Sequence, residues 1–152
     1  VSQLALNGTN ISQSVKNSHV RYTYRIWDSC QTEDEDGYCV GGYDYYTGYS
    51  DAIIQGEVSC NNKVYANGVS VAKAGDDISE TWDNNGVHSG YVSGSASPSL
   101  SGSGSGKINI PANTSNVYMN NSLVAIKNSA VTTHLNTSAT LVSPVSSKIF
   151  IG

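Results

Sequence analysis

The sequence predicts an all-β protein built from short strands and hairpins, and three observations carry that expectation. The first is composition. Only 38% of the 152 residues are apolar and 13% are charged, with fifteen glycines, ten tyrosines, one Phe and one Met. Chains this poor in apolar residues are disordered when they also carry high net charge. This one has a net charge of −4, so a thin core with many tight turns and much backbone hydrogen bonding is the better reading. The second is turn chemistry. Asn67-Gly68 is flanked by apolar alternation, and the positive φ required at both centres of a type I′ turn favours that pair. The third is an internal repeat. Lys63-Val64-Tyr65-Ala66-Asn67-Gly68-Val69-Ser70-Val71-Ala72-Lys73 matches Asn116-Val117-Tyr118-Met119-Asn120-Asn121-Ser122-Leu123-Val124-Ala125-Ile126 without a gap, and a fixed repeat marks a structural unit used more than once.

Along the chain, Leu4-Ala5-Leu6-Asn7-Gly8 reads as a strand ending in a hairpin turn, and Ser14-Val15-Lys16-Asn17-Ser18 resembles Ala125-Ile126-Lys127-Asn128-Ser129. This makes the N-terminus a looser first copy of the unit. Residues 20–59 form an insertion holding seven of the ten tyrosines, both arginines, Trp27 and the acidic run Glu33-Asp34-Glu35-Asp36. The alternation in Val20-Arg21-Tyr22-Thr23-Tyr24-Arg25-Ile26-Trp27 is that of a strand, so a Tyr-rich hairpin or lobe is expected. Residues 93–106 are rich in Gly and Ser, suited to a flexible linker or, between His88 and the next strand, to a narrow and crowded ascent. Lys148-Ile149-Phe150-Ile151-Gly152 repeats the first half of the unit. Paired with the truncated first copy, it would close a ring of three and remove a sheet edge. One domain, 1–152, is expected, with 20–59 inserted within it.

Several function classes are excluded. Eight scattered Lys and Arg in an acidic chain provide no stripe for phosphates, so nucleic acid is not an expected partner. No apolar run reaches the length of a membrane-spanning helix. No secretory signal stands at Val1, and a form already cleaved would read the same. No Gly-x-Ser-x-Gly elbow and no His-Glu-x-x-His is present, so no enzyme is expected. Glu33-Asp34-Glu35-Asp36-Gly37 lacks the alternating ligand spacing of a calcium loop. Tyr43, Tyr45, Tyr46 and Tyr49 suit either a carbohydrate- or protein-contacting surface or, the preferred reading, packing of the insertion.

Three histidines and three cysteines remain. His19 follows Leu6-Asn7-Gly8, His88 follows Asn67-Gly68 and His134 follows Asn120-Asn121. One imidazole per unit predicts three ligands converging on an axis, which suits a metal better than a nucleophile. Cys30 and Cys39 form either a disulfide, a second metal site or two separate thiols, since their spacing matches no zinc signature.

The run Val64-Tyr65-Ala66-Asn67-Gly68-Val69-Ser70-Val71-Ala72-Lys73-Ala74-Gly75-Asp76 resembles the repeat of the PAAR family, in which a strand ending in Asn-Gly precedes a small apolar strand and Gly-Asp. Val71-Ala72-Lys73-Ala74 stands where the Pro-Ala-Ala-Arg signature falls, and Asn128-Ser129 replaces Gly-Asp in the third copy. The resemblance covers 1–19, 60–92 and 107–152. It implies a small cone-shaped β-structure with pseudo-threefold symmetry that caps the trimeric β-helical spike, a VgrG-like protein or a phage spike hub. Such caps belong to contractile phage tails and type VI secretion systems. It implies one metal ion, zinc or iron, near the apex, held by His19, His88 and His134, with Cys60 the candidate fourth ligand. The expectation is therefore a structural tail-tip protein in a virion assembled in the host cytoplasm, meeting the host envelope transiently. The alternative expectation is a receptor- or glycan-binding tip that uses the Tyr-rich insertion.

Overall fold

The computed structural model describes residues 2–109, 117–142 and 149–151, and these are all-β. In chain order the strands are β1 (Ser2–Gln3), β2 (Ser14–Glu33), β3 (Cys39–Ser59), β4 (Tyr65–Ala66), β5 (Val69–Ser70) and β6 (Asp77–Asn84). They continue as β7 (Ser101–Ile108), β8 (Tyr118–Met119), β9 (Ser122–Leu123), β10 (Ala130–Thr132), β11 (Ser138–Thr140) and β12 (Phe150–Ile151). One sheet runs β11-β10-β7-β6-β3-β2, and three two-stranded sheets pair β4 with β5, β8 with β9 and β1 with β12. No helix among the described residues is long and apolar enough to cross a membrane.

The chain divides into two compact units. The first comprises 1–16, 53–82 and 102–152, and the second 17–52 and 83–101. The expected insertion 20–59 is therefore drawn differently. Its second strand re-enters the first unit at residue 53, and the segment after β6 joins the extension. Strands as long as β2 and β3 belong to both units, which composition alone does not reveal.

The first unit is a ring of three copies closed by backbone hydrogen bonds. Ala5 N–H donates to Ala125 O (3.0 Å), Ala125 N–H to Ala72 O (2.9 Å) and Ala72 N–H to Ala5 O (3.0 Å). Isolated bridges Leu6↔Val71, Lys73↔Val124 and Leu4↔Ile126 repeat the same step around the ring. The core obeys the same symmetry. Ala5, Ala72 and Ala125 share it with Ile11, Ile78 and Val131 and with Val58, Ile108 and Leu141. Burying such side chains is the main stabilising term, about 25 cal/mol per Å² of apolar surface.

Each copy leaves the ring through the same turn. Gly8, Gly75 and Asn128 take φ values of 88°, 89° and 73°, a region open to Gly and tolerated by Asn. The following side chain accepts a hydrogen bond from the backbone three residues earlier. Leu6 N–H donates to Thr9 Oγ1 (3.2 Å), Lys73 N–H to Asp76 Oδ2 (2.8 Å) and Ile126 N–H to Ser129 Oγ (2.9 Å). Gly75-Asp76 and Asn128-Ser129 thus do the same work, and Gly8-Thr9 is their third counterpart.

That corrects the reading of the N-terminus. Leu4-Ala5-Leu6-Asn7-Gly8 matches Val71-Ala72-Lys73-Ala74-Gly75, not the Asn67-Gly68 hairpin. The hairpins are where the repeat predicts them, with Asn67 and Gly68 at φ 50° and 78° and Asn120 and Asn121 at 51° and 63°. The third is made by the chain ends. Gln3 pairs with Phe150 as Ser70 pairs with Tyr65 and Leu123 with Tyr118. The terminal half unit therefore completes the first copy as expected; Asn116, Lys148 and Gly152 of those windows lie outside the described residues.

Candidate functional site

The hairpins give the first unit a repeated apolar face. In each copy the residue that starts the hairpin receives a backbone hydrogen bond from the ring strand. Val71 N–H donates to Val64 O (2.8 Å), Val124 N–H to Val117 O (2.9 Å) and Leu4 N–H to Ile149 O (3.1 Å). Val64, Val117 and Ile149 are thus equivalent positions, as are the next residues, Tyr65, Tyr118 and Phe150. All six are exposed, from 43% at Val117 and Ile149 to 66% at Tyr118. Scattered apolar residues on a surface need no explanation, but a contiguous patch marks an interaction site. Beneath them Leu4, Leu6, Ala66, Val71, Met119 and Val124 form a second buried cluster. A depression of about 560 Å³ lies over it, lined by residues of all three copies, including Val64, Tyr118 and Ile149.

The structure does not gather the predicted metal ligands. His19 is in β2 and His88 follows β6, both in the second unit, whereas His134 lies between β10 and β11 in the first. Among the described residues no group of three or more His, Cys, Asp or Glu side chains is close enough to hold a metal ion. The reason is register. His134 stands nine residues after Ala125, but the positions nine residues after Ala5 and Ala72 are Ser14 and Thr81. Counting from the hairpins hid this, because Asn7-Gly8 is not a hairpin turn. The imidazoles are also engaged separately. The His88 ring stacks on Tyr24, with centroids 4.2 Å apart, and its Nδ1 accepts from Gly90 N–H (2.9 Å). Cys60, the candidate fourth ligand, sits with its Sγ 3.7 Å from Ser70 Oγ, and burial pushes its thiol pKa up.

His134 belongs to a different arrangement, which the sequence did not reveal. Its Nδ1 lies 2.5 Å from Oε1 of the fully buried Glu80, and the same oxygen accepts from His134 N–H (2.8 Å). The Gly/Ser segment makes room for this pair. β7 is a regular strand whose glycines line one face. A Cβ at Gly102 would collide with Trp82, at Gly104 with His134 and at Gly106 with the Glu80 carboxylate. Period-two glycine beside a carboxylate and an imidazole is the signal that could have located it, since side chains on alternate strand positions share a face.

In the second unit Cys30 and Cys39 form a disulfide that joins the ends of β2 and β3, so of the alternatives the disulfide is the one realised. Tyr22 is buried and meets Tyr91 edge-on, and Tyr24 stacks on Tyr46. Tyr43, Tyr45, Tyr46 and Tyr49 are exposed, with Tyr43 also meeting Trp27 edge-on.

No protein family, curated protein or solved structure gives a significant match to this chain.

Proposed function

We propose that this chain caps a threefold-symmetric fibre, as the spike-tip protein of a contractile injection machine such as a phage tail. One observation carries the reading. A single chain repeats the exposed pairs Val64-Tyr65, Val117-Tyr118 and Ile149-Phe150 around a ring closed by backbone hydrogen bonds. A homotrimeric β-helix ends in three identical edges. One chain with three equivalent faces meets all three at once, whereas an asymmetric binder leaves two of them exposed. The depression over the second cluster offers a seat for side chains at the end of the trimer, and β1 pairs with β12 as β5 pairs with β4 and β9 with β8.

The mechanism is mechanical. Force applied through the trimer is distributed over three copies that share one core, and the cyclic Ala5–Ala125–Ala72 hydrogen bonds resist fraying of any one. The reading assigns no catalytic step and no metal to this chain, and it places the host envelope as a transient contact.

The test is co-purification with the trimeric β-helical spike of the same particle. Wild type should bind, and replacing Tyr65, Tyr118 and Phe150 together by Asp should abolish binding while the unfolding transition persists. Retention by the triple variant would refute the assignment of this face.

A further inference from the structure

We propose that one face of the β2–β3 ribbon, between residues 21 and 49, is a binding site for an acidic saccharide. This inference is independent of the spike-cap reading, because every residue it uses lies in the second unit.

Alternation along the two strands sorts their side chains. Tyr22 and Tyr24 share a face with Tyr46, and there His88 and Tyr91 cover them. Arg21, Arg25 and Trp27 alternate to the other face, where Arg25 and Trp27 both meet Tyr43 of β3. The Arg25 guanidinium lies 4.0 Å above the Tyr43 ring, and Trp27 contacts the same ring edge-on at 5.1 Å. Trp27, Tyr45 and Tyr49 are 58%, 61% and 60% exposed. The face therefore presents flat aromatic surface with polar tips, and its rings lose little rotamer freedom on binding.

Charge decides what covers it. The chain carries a net charge of −4, yet its two arginines both stand on this face. Asp28 falls at a position of the opposite parity, and the Asp44 carboxylate is engaged by Gln31, whose Nε2 donates to Oδ1 (3.2 Å). Among the described residues neither guanidinium is in an ion pair, the salt bridges being Lys73–Asp76, Lys107–Asp77 and His134–Glu80. The contact with Tyr43 holds the Arg25 guanidinium beside the ring, and its fork of donors, in no ion pair among the described residues, suits a planar anion that guanidinium matches bidentately. Beside Arg21 a polar cleft of about 260 Å³ is lined by Tyr22, Thr23, Ser95 and Ser97, room for one charged substituent with hydroxyls around it. A pyranose ring offers C–H faces to the aromatics, hydroxyls to the tyrosine tips and an acidic group to the arginines. Nucleic acid fits less well. Two cations neutralise too few phosphates, and the ribbon ends in Glu33-Asp34-Glu35-Asp36.

The experiment applies the full chain to an array of immobilised oligosaccharides. Members bearing carboxylate, sulfate or phosphate groups are printed beside their neutral parents. Binding should be confined to acidic members and should weaken at rising salt. Arg21→Gln, Arg25→Gln and Tyr45→Ala should each reduce affinity about tenfold or more, as loss of a charge-assisted bond or a stacking ring does. The unfolding transition should remain that of wild type. Arg25→Lys should bind less well than wild type because the fork is lost. Binding to no acidic member, equal binding to acidic and neutral members, or unchanged binding by an Arg21→Gln/Arg25→Gln double variant would overturn the proposal.

Discussion

Ala5, Ala72 and Ala125 are fully buried and hydrogen-bonded to one another, so the centre of the ring has no space for a larger side chain. Replacing Ala72 by Leu should cost about 1–3 kcal/mol through overpacking, read as a lower urea midpoint with an unchanged m-value; full stability would show that the ring is not packed as described. Gly104 is a second such position. Gly104→Val drives a branched side chain into the His134 ring and should destabilise by about as much, while Ser103→Val on the exposed face of the same strand should be tolerated. Equal effects at 103 and 104 would refute the glycine face. Cys60, with its pKa raised first by desolvation, should alkylate more slowly in native protein at neutral pH than in urea. At this scale the sequence was legible where a residue's conformation is its signal, as at Asn67-Gly68. It misled where two turns share a dipeptide. Asn7-Gly8 looks like the hairpin, but its Gly8 does the work of Gly75.

Among the elements, the matched hairpins β4-β5 and β8-β9 followed from a gapless repeat, and the β1–β12 pair followed from noticing half a unit at each end. β7 was harder. Gly and Ser in alternation satisfy a linker and a crowded strand equally well, and only the large partners on one side, Trp82, His134 and Glu80, decide between them. The β2–β3 ribbon was legible as a hairpin from its alternation, but its boundaries with the first unit were not, since one strand crosses them without a break. The Cys30–Cys39 bridge closes a short loop, which in the chain-entropy model is worth about 2–3 kcal/mol. A Cys30→Ser/Cys39→Ser variant should become sensitive to proteolysis between residues 30 and 39 while the first unit keeps its unfolding transition. Protease resistance equal to wild type would contradict a role for the bridge in holding that end.

For the molecule as a whole, the threefold repetition was legible and the site was not. The three histidines suggested convergence because each follows a copy of the repeat, yet convergence requires equivalent distance from the ring, and nine, fourteen and sixteen residues after Ala125, Ala5 and Ala72 are not equivalent. What holds the copies together is a shared core and cyclic backbone pairing. A chelator should therefore leave the melting temperature unchanged; a large drop would show that a metal binds the folded state and contributes to its stability. The apolar face is hidden in the sequence for a related reason. Val64, Tyr65, Val117 and Tyr118 read as strand residues with a buried side, and only closure of the ring shows them side by side and exposed. The central claim is that one chain supplies three equivalent contacts to a trimer, and stoichiometry tests it most directly. Native mass spectrometry of the complex formed with the trimeric spike, supplied with excess chain, should give one copy of this protein per trimer. Three copies per trimer, or no complex, would contradict it.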